Sequence, residues 1–523
     1  MAVRDILRNT ASRFPDREAV VAADGRYRYD ELQDTSYKLA GLLQQRGVGK
    51  GDKIALCFAN DEAGSFILCY FALHWIGAVP VPVNSRWAPD EKAFVAGHAQ
   101  VKGVVSGDAY LEQWEEGLSH NGWKLDLKIA RHATREGWEN LDQLLAQSAP
   151  SPQEPPIDDA DLADLLYTSG TTGLPKGVAT PEGNLQIRAG DPMAAVAGLI
   201  FSGRILHTVP LCGYTGLHGC MLMSIEAGGT QIILPHFDAG EFLRTIPEEK
   251  VSTLAAVPSM LTLMMNHPDR EKYAYSSLKI VFFASAPMPP GTLREMVRLW
   301  PGRALLNVYG QTEAGGDLLL VMGPDPKEHL EHLGALGKPV PGCEVAILDD
   351  KDQPLSEGTV GEICLRSSRT QRHYYRNEDA EKQLWRNGWL HTGDVGYIDK
   401  DGYVHLTDRK KDMIIRGGYN IFAIEVENVL DEHPDVVESA VVGLPHPVLG
   451  EDVVAFVVLR SGASVTPQAL YDFCRQRLAD YKCPRHILFV DALPRNAMGK
   501  VIKAELRDQY HDLILAEHAK QGA

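Results

Sequence analysis

The sequence predicts an α/β protein: a large N-terminal domain of two α/β subdomains and a small β-barrel-like subdomain, then a small α+β domain. Three observations predict it. Apolar helical and strand-like segments alternate over the first 330 or so residues, short strands separated by Gly, Asp and Pro turns replace them, and a charged stretch at 408–412 introduces a last segment of different pattern. Alternation of helix and strand implies parallel strands with helices packed on both faces.

Taken in order, Leu32, Leu39, Leu42 and Leu43 share one face of a helix stopped by Gly47 and Gly49, and a strand-like ALCF segment follows. Residues 65–83, SFILCYFALHWIGAVPVPV, have the length and apolarity of a membrane span, but His74, Gly77, Pro80 and Pro82 divide them into a buried helix and a Val-rich strand. Past residue 200 the strands QIILP, STLAAV and KIVFFAS are separated by the helical runs PSMLTLMMNH and PGTLREMVRLW. The short strands CEVAIL, GEICLR and GYVHLT come next, and no period repeats. A helix in FAIEVENVLDEH, strands VVESAVVG and DVVAFVVL, a helix in PQALYDFCRQRLAD and a strand HILFV then make the α+β unit. The expected domains are 1–407 and 412–523, joined at 408–411.

Of 523 residues, 44% are hydrophobic, and 69 acidic against 52 basic side chains leave a formal charge of −17. That surplus disfavours nucleic acid or an anionic membrane as partner, because binders of phosphate backbones concentrate Lys and Arg. A small phosphate-bearing ligand needs only a few well-placed donors. The eight cysteines form no CxxC pair and have mostly apolar neighbours, which reads as buried thiols in a reducing compartment. The N-terminus lacks a secretory pattern, so a cytoplasmic protein without a membrane span is expected.

The chemistry concentrates in LLYTSGTTGLPKGV, 165–178, where an apolar strand leads into Thr168, Ser169, Gly170, Thr171, Thr172, Gly173 and Lys176. The glycines allow close backbone approach, and hydroxyls, amides and a lysine suit negative charge: a phosphate cradle, or else a flexible Ser/Thr/Gly surface loop. It is not a P-loop, since no Gly directly precedes Lys176 and no Ser or Thr follows it.

In its order of residues this segment resembles the signature of the adenylate-forming superfamily of acyl-CoA synthetases, stand-alone adenylation enzymes and luciferases. Further motifs follow in sequence: Ala284-Ser285-Ala286-Pro287, Tyr309-Gly310-Gln311-Thr312-Glu313, Trp389 to Asp394, Asp408 to Asp412 with Arg416 to Asn420, and Pro494 to Lys500. The resemblance implies that a carboxylic acid attacks the α-phosphate of ATP to give an acyl-adenylate and pyrophosphate, and that an acceptor, commonly coenzyme A, then displaces AMP. It assigns Lys500, on a mobile small domain, to bridging carboxylate and phosphate, with Thr168 and Glu313 the other catalytic residues. Lys176 and the Thr168–Thr172 donors take the β- and γ-phosphates, Glu313 takes Mg²⁺, and Thr312 donates to the α-phosphate. Ser285, Ala286 and Pro287 contact adenine, on which Tyr309 stacks beside Gly310 and Gln311, while Asp394 and Arg409 hold the ribose. Lys411 is the hinge about which the small domain swings, bringing Gly417, Gly418 and Tyr419 to the acceptor.

One departure bears on the substrate. Where the family usually has Pro-Leu-Phe-His, this chain has Pro210-Leu211-Cys212-Gly213, followed by Tyr214-Thr215-Gly216. Gly213 replaces the family's pocket histidine and enlarges the acyl pocket, whose expected wall is drawn from Gly213 to Gly216, Ala284 to Ala286 and Val308 to Gly310, with Gly213, Tyr214, Gly216 and Ala284 foremost. Tyr214 partly refills the space, and His218, a turn later, reads as an ordinary histidine on a helix face, with compensation for the missing imidazole as the alternative. Small wall residues favour a medium, cyclic or aromatic acid over acetate. Coenzyme A is the expected acceptor, with an amine or a carrier-protein thiol as the alternative. A scaffold without activity is disfavoured because Lys176, Glu313 and Lys500 are all present, and no G-x-S-x-G elbow supports a hydrolase. His329 and His332 lack further ligands at metal spacing and read as capping a solvated loop. A monomer or homodimer is expected.

Overall fold

The computed structural model describes residues 2–133, 135–168, 174–185, 192–286, 288–367, 372–410, 412–460, 462–496 and 500–515, with backbone alone at 192–196 and 316–319. The expected alternation is present. In the longest sheet the strands Ala304–Gln311, Ile280–Ala284, Thr253–Ala256, Arg204–His207, Thr230–Ile233 and Glu18–Ala22 lie side by side and parallel. A second sheet, also parallel, orders Val79–Pro82, Lys53–Cys57, Gly103–Ser106, Leu127–Ala130 and Glu139–Asn140. Their Val-, Ile- and Leu-rich strands are buried on both faces, which is why they read as continuous apolar runs.

The helix Ala63–Trp75 is buried at every position, as the split reading of residues 65–83 requires. No helix among the described residues is long and apolar enough to cross a membrane. Leu32, Leu39, Leu42 and Leu43 are likewise buried on the helix Tyr29–Gln45. Burying each leucine is worth roughly 1.5–3 kcal/mol, so this stripe fixes the helix on the core.

The short strands after residue 330 are antiparallel and extend the long sheet, Ala335–Pro339 joining Gly316–Met322 on one side and Val404–Arg409 on the other. Trp389–Ile398, Gly361–Ser367 and Cys343–Leu348 follow outward. A three-stranded sheet of Leu162–Thr168, Lys176–Pro181 and His373–Tyr374 stands apart from these. Tyr419–Ile421, Ile414–Arg416, Gly450–Leu459, Val436–His446 and His486–Phe489 form the C-terminal sheet, with its own core around Ile414, Val426, Val441, Val453 and Leu470. Seven of the eight cysteines are buried, Cys212 is half-buried, and all are free thiols.

Candidate functional site

Thr168 and Lys176 are cross-strand partners in an antiparallel hairpin. The ladder therefore holds the two ends of the Ser/Thr/Gly loop side by side; Ser169 to Gly173 themselves lie outside the described residues. Thr168 Oγ1 donates to Glu313 Oε1 at 3.1 Å, and the Tyr374 hydroxyl donates to the same oxygen at 3.0 Å. Lys176 Nζ sits 5.2 Å from the centroid of the Tyr374 ring. Burial, then the Glu313 charge, raises the Tyr374 phenol, so it stays a neutral donor. Thr168, Lys176 and Glu313, expected together, are together.

Tyr374 was not foreseen. Its neighbours in HYYRNEDA carry no motif of their own, and its place follows from Tyr374 pairing with Val178 across the phosphate hairpin. Glu313 is carried by a single helical turn, Thr312–Ala314, closed by Gly315 at φ +73°. That positive φ suits glycine and ends the turn before the chain enters Gly316–Met322.

The second cluster is equally tight. Asp394, only 6% exposed, is the cross-strand partner of Arg409, whose Nε lies 3.1 Å from Oδ1, while Tyr309 donates its hydroxyl to Oδ2 at 2.6 Å. Burial and the Asp394 charge push the Tyr309 phenol well up, so it too remains a donor. Gly310 falls at an irregularity in strand pairing between Tyr309 and Gln311. The buried Gln311 Nε2 has no partner among the described residues. Ser285, at the end of Ile280–Ala284, has φ +77°, a backbone state that costs about 1–3 kcal/mol and clusters at functional sites. Ala286 beside it is exposed; Pro287 lies outside the described residues, as does Lys411.

A small apolar cleft is lined by Val209, Thr215, Ala255, Ala256, Val257, Phe282, Ala284 and Ser285. Of the expected acyl-pocket wall, Thr215, Ala284 and Ser285 line it. Val209, Phe282 and residues 255–257 were missed because their wall position depends on sheet order rather than on any local pattern. Gly216 does not face open space: a Cβ there would meet the Pro210 carbonyl oxygen at 2.2 Å. Its role is close packing of the π-helix Thr215–Leu222 on the Val209–Pro210 segment that follows the strand Arg204–His207. Gly213 precedes that helix, its carbonyl accepting from Leu217 N at 2.9 Å. Tyr214 points toward the Glu313 turn, its hydroxyl donating to Gly315 O at 3.2 Å.

Two histidine readings are corrected. His218 is 3% exposed and its Nε2 lies 2.6 Å from Asp164 Oδ2, a buried polar contact rather than a helix-face position. His329 is buried, with Nε2 against the carbonyls of Leu305 (3.0 Å) and Gly323 (2.8 Å), and His332 stacks on Tyr403 at 3.8 Å. Both are packed instead of capping a solvated loop. Glu362, Cys364 and His391 lie at metal-ligand spacing, but Arg386 Nη2 stands 2.7 Å from His391 Nδ1 and Lys410 Nζ 3.5 Å from Glu362. Protein cations already neutralise that group.

In the small domain Gly417 and Gly418 form the two-residue turn between Ile414–Arg416 and Tyr419–Ile421, with φ +58° and +85°. Tight hairpin turns of the primed type need positive φ at both centres, hence the glycine pair. Tyr419 is exposed and stacks on Tyr481 at 4.7 Å. Arg416, by contrast, is buried against Asp452 at 2.7 Å. Lys500 N donates to Asn496 Oδ1 (3.0 Å) and Asn496 N to Lys500 O (2.9 Å), closing the loop that presents the lysine.

Comparison with known proteins identifies the family. The AMP-binding enzyme family matches residues 7–375 and the AMP-binding enzyme C-terminal domain residues 425–500. The chain belongs to this family of adenylate-forming enzymes. Within it the chain is of the acyl-CoA synthetase type: it is 31% identical over 506 residues to the indoleacetate–CoA ligase of Aromatoleum aromaticum, covering 95% of this chain and 94% of the other. Among solved structures it is similar to the amide bond synthetase McbA of Marinactinospora thermotolerans (TM-score 0.84, 30% identity, 97% and 99% of the two chains). It is also similar to the o-succinylbenzoate CoA synthetase of Bacillus subtilis in complex with its acyl-adenylate intermediate OSB-AMP (TM-score 0.82, 28% identity, 96% and 98%).

Proposed function

We propose that this protein activates a carboxylic acid with ATP and passes the acyl group to coenzyme A. A carboxylate oxygen attacks the α-phosphorus of ATP, pyrophosphate leaves, and the thiol sulfur then attacks the acyl carbon while AMP departs. The observation that supports this most is the pair of polar clusters carried by one segment, Tyr309 to Glu313: Glu313 with Thr168 and Tyr374, beside Lys176, would take the phosphates, and Tyr309 with Asp394 and Arg409 would take the nucleoside. Two anions must be brought together in the first half, and placed cations and donors lower the barrier by offsetting their repulsion.

Lys176 and Thr168 would hold the departing pyrophosphate, and Lys500 would bridge carboxylate and α-phosphate. Asp394 accepts a hydrogen bond from Tyr309 and pairs with Arg409 now, and would accept two from the ribose hydroxyls. Glu313 and the Thr168 hydroxyl are hard oxygen donors of the kind that fits Mg²⁺, which when bound supplies positive charge against the phosphates. The solved o-succinylbenzoate CoA synthetase with ATP and magnesium ion supports the same ligands here. Residues 408–411 would be the hinge between a platform of residues 1–407 and a lid of residues 412–523.

The cleft residues are uncharged, which favours an acid with an apolar, cyclic or aromatic body and no second carboxylate. The test is ATP-dependent AMP release over a panel of carboxylic acids, run with coenzyme A, with amines and amino acids, and with neither. Release that requires coenzyme A and an apolar acid is the expected result. Release that requires an amine would move the assignment to amide formation, a reading favoured by Gly213 and by the similarity to an amide bond synthetase.

A further inference from the structure

Behind the phosphate cluster lies a chain of buried polar groups that none of the motifs includes. Asp164 stands on Leu162–Thr168, the same strand that ends in Thr168, and is fully buried. Its Oδ2 receives the Tyr70 hydroxyl at 3.1 Å and contacts His218 Nε2 at 2.6 Å. The other nitrogen of that ring, Nδ1, faces Arg372 Nη2 at 3.4 Å, and Arg372 Nη1 faces the Thr312 carbonyl, also at 3.4 Å. Arg372 has no exposed surface, and its guanidinium lies 5.0 Å from the centre of the Tyr214 ring.

The protons along this chain are fixed by what each group can do. A guanidinium only donates, so Nδ1 must accept, and Nε2 must carry the hydrogen that goes to Asp164. His218 is then a neutral imidazole linking a buried carboxylate to a buried cation, and burial holds its pKa below the ordinary histidine value. Arg372 is costly to bury, and Asp164 at the far end supplies the compensating charge.

The far end of the relay is the turn that carries Thr312 and Glu313. Arg372 grips its first carbonyl, Thr312 O, and Tyr214 grips its last, Gly315 O, at 3.2 Å. The two gripping side chains also lie against each other. Glu313 is thus tied to the Thr168 strand twice: directly through the Thr168 hydroxyl, and from behind through Thr312, Arg372, His218 and Asp164.

We propose that Arg372, oriented by His218, is a positioning residue for adenylate formation. It sets the Thr312–Gly315 turn so that Thr312 and Glu313 face the phosphates, and it touches no substrate itself. The proposal rests on the adenylation reading above. It also gives His218 a defined chemical task, in a segment where Gly213 has removed the family's usual imidazole.

The experiment compares Arg372→Met, His218→Phe and His218→Gln in three measurements: acid-dependent ATP–pyrophosphate exchange, conversion of a supplied acyl-adenylate to product, and amide hydrogen exchange of residues 309–316 in ligand-free protein. Glutamine can accept from Arg372 with its oxygen and donate to Asp164 with its nitrogen, whereas phenylalanine fills the ring volume and does neither. Displaced positioning groups commonly cost about 10–100-fold in activity. Arg372→Met and His218→Phe are therefore expected to slow pyrophosphate exchange by about that factor, to convert supplied acyl-adenylate within about 3-fold of the parent, and to speed amide exchange in the turn. His218→Gln is expected to restore most of the exchange rate. Equal loss of both half-reactions, or Phe outperforming Gln at 218, would overturn the proposal in favour of simple packing. Unchanged exchange in both disruptive variants would overturn it outright. Absence of pyrophosphate exchange in the parent with every acid would instead strike at the adenylation reading.

Discussion

Thr168, Glu313 and Tyr374 show how little of an active site one residue's chemistry settles. A lone Glu313 is an ordinary half-buried carboxylate; receiving two hydroxyl hydrogen bonds on one oxygen makes it a fixed acceptor with a defined outward direction. Lys500 differs, because its backbone contacts lie within its own loop. Its assigned task belongs to one half-reaction alone. Replacing it with alanine is therefore expected to reduce pyrophosphate exchange by at least about 10²-fold, the scale on which single electrostatic donors act, while supplied acyl-adenylate still reaches product. Single-turnover measurements of the two halves check this, and exchange that survives removes Lys500 from the bridging role.

The π-helix Thr215–Leu222 packs so closely on the preceding Val209–Pro210 segment that Gly216 leaves no room for a methyl group. Gly216→Ala forces either the helix or the Pro210 carbonyl to shift. Overpacking of this kind costs about 1–3 kcal/mol, visible as a lower thermal midpoint. Because Thr215 lines the cleft, the same shift is expected to raise KM for the acid more than it lowers kcat; a variant with parental stability and KM would show that the contact relaxes freely. The hairpin of Leu162–Thr168 and Lys176–Pro181 was readable from its apolar strand and its Gly and Thr content, since those properties are local. The third strand, His373–Tyr374, was not, because a two-residue strand carries no periodicity and is defined by its partner.

At the start of the proposed hinge segment 408–411, Asp408 is buried and accepts from its own neighbour Arg409 N at 2.7 Å and from Ala423 N, the first residue of the helix Ala423–Asp431. Burial, partly offset by Lys503, pushes its carboxyl up to about 6 from an ordinary 3.8. Below pH 4 the group is protonated both folded and unfolded. As pH rises from 4 to 6 the unfolded chain ionises first, so stability falls through that window and the deficit is complete above it. Asp408→Asn keeps an acceptor for Ala423 without the charge. Relative to the parent, the variant is expected to gain up to about 3 kcal/mol of stability between pH 4 and pH 7, read as amide-exchange protection of residues 423–431. No change of the difference with pH would place the Asp408 titration elsewhere. For the junction itself, Lys411→Pro is expected to spare adenylate formation and slow acyl transfer, since the proposed swing requires backbone rotation there. Equal loss in both halves would reject that hinge.

Over the whole chain, the acidic surplus and the binding of a polyanion are compatible because the positive charge is local: Lys176 faces the phosphate cluster and Arg409 the nucleoside cluster. Fold class and chemistry were legible in the amino-acid order, because helix and strand periodicity, glycine-rich turns and short motifs are properties of neighbouring residues. The walls of the apolar cleft, the true surroundings of Gly216 and His218, and the Arg372 relay were not. Each depends on which strands and helices the folded chain lays side by side, as when residues 164, 218, 312 and 372 meet in one buried chain. A buried cation such as Arg372 has no sequence signature, since what makes it tolerable is a distant carboxylate that folding alone brings near.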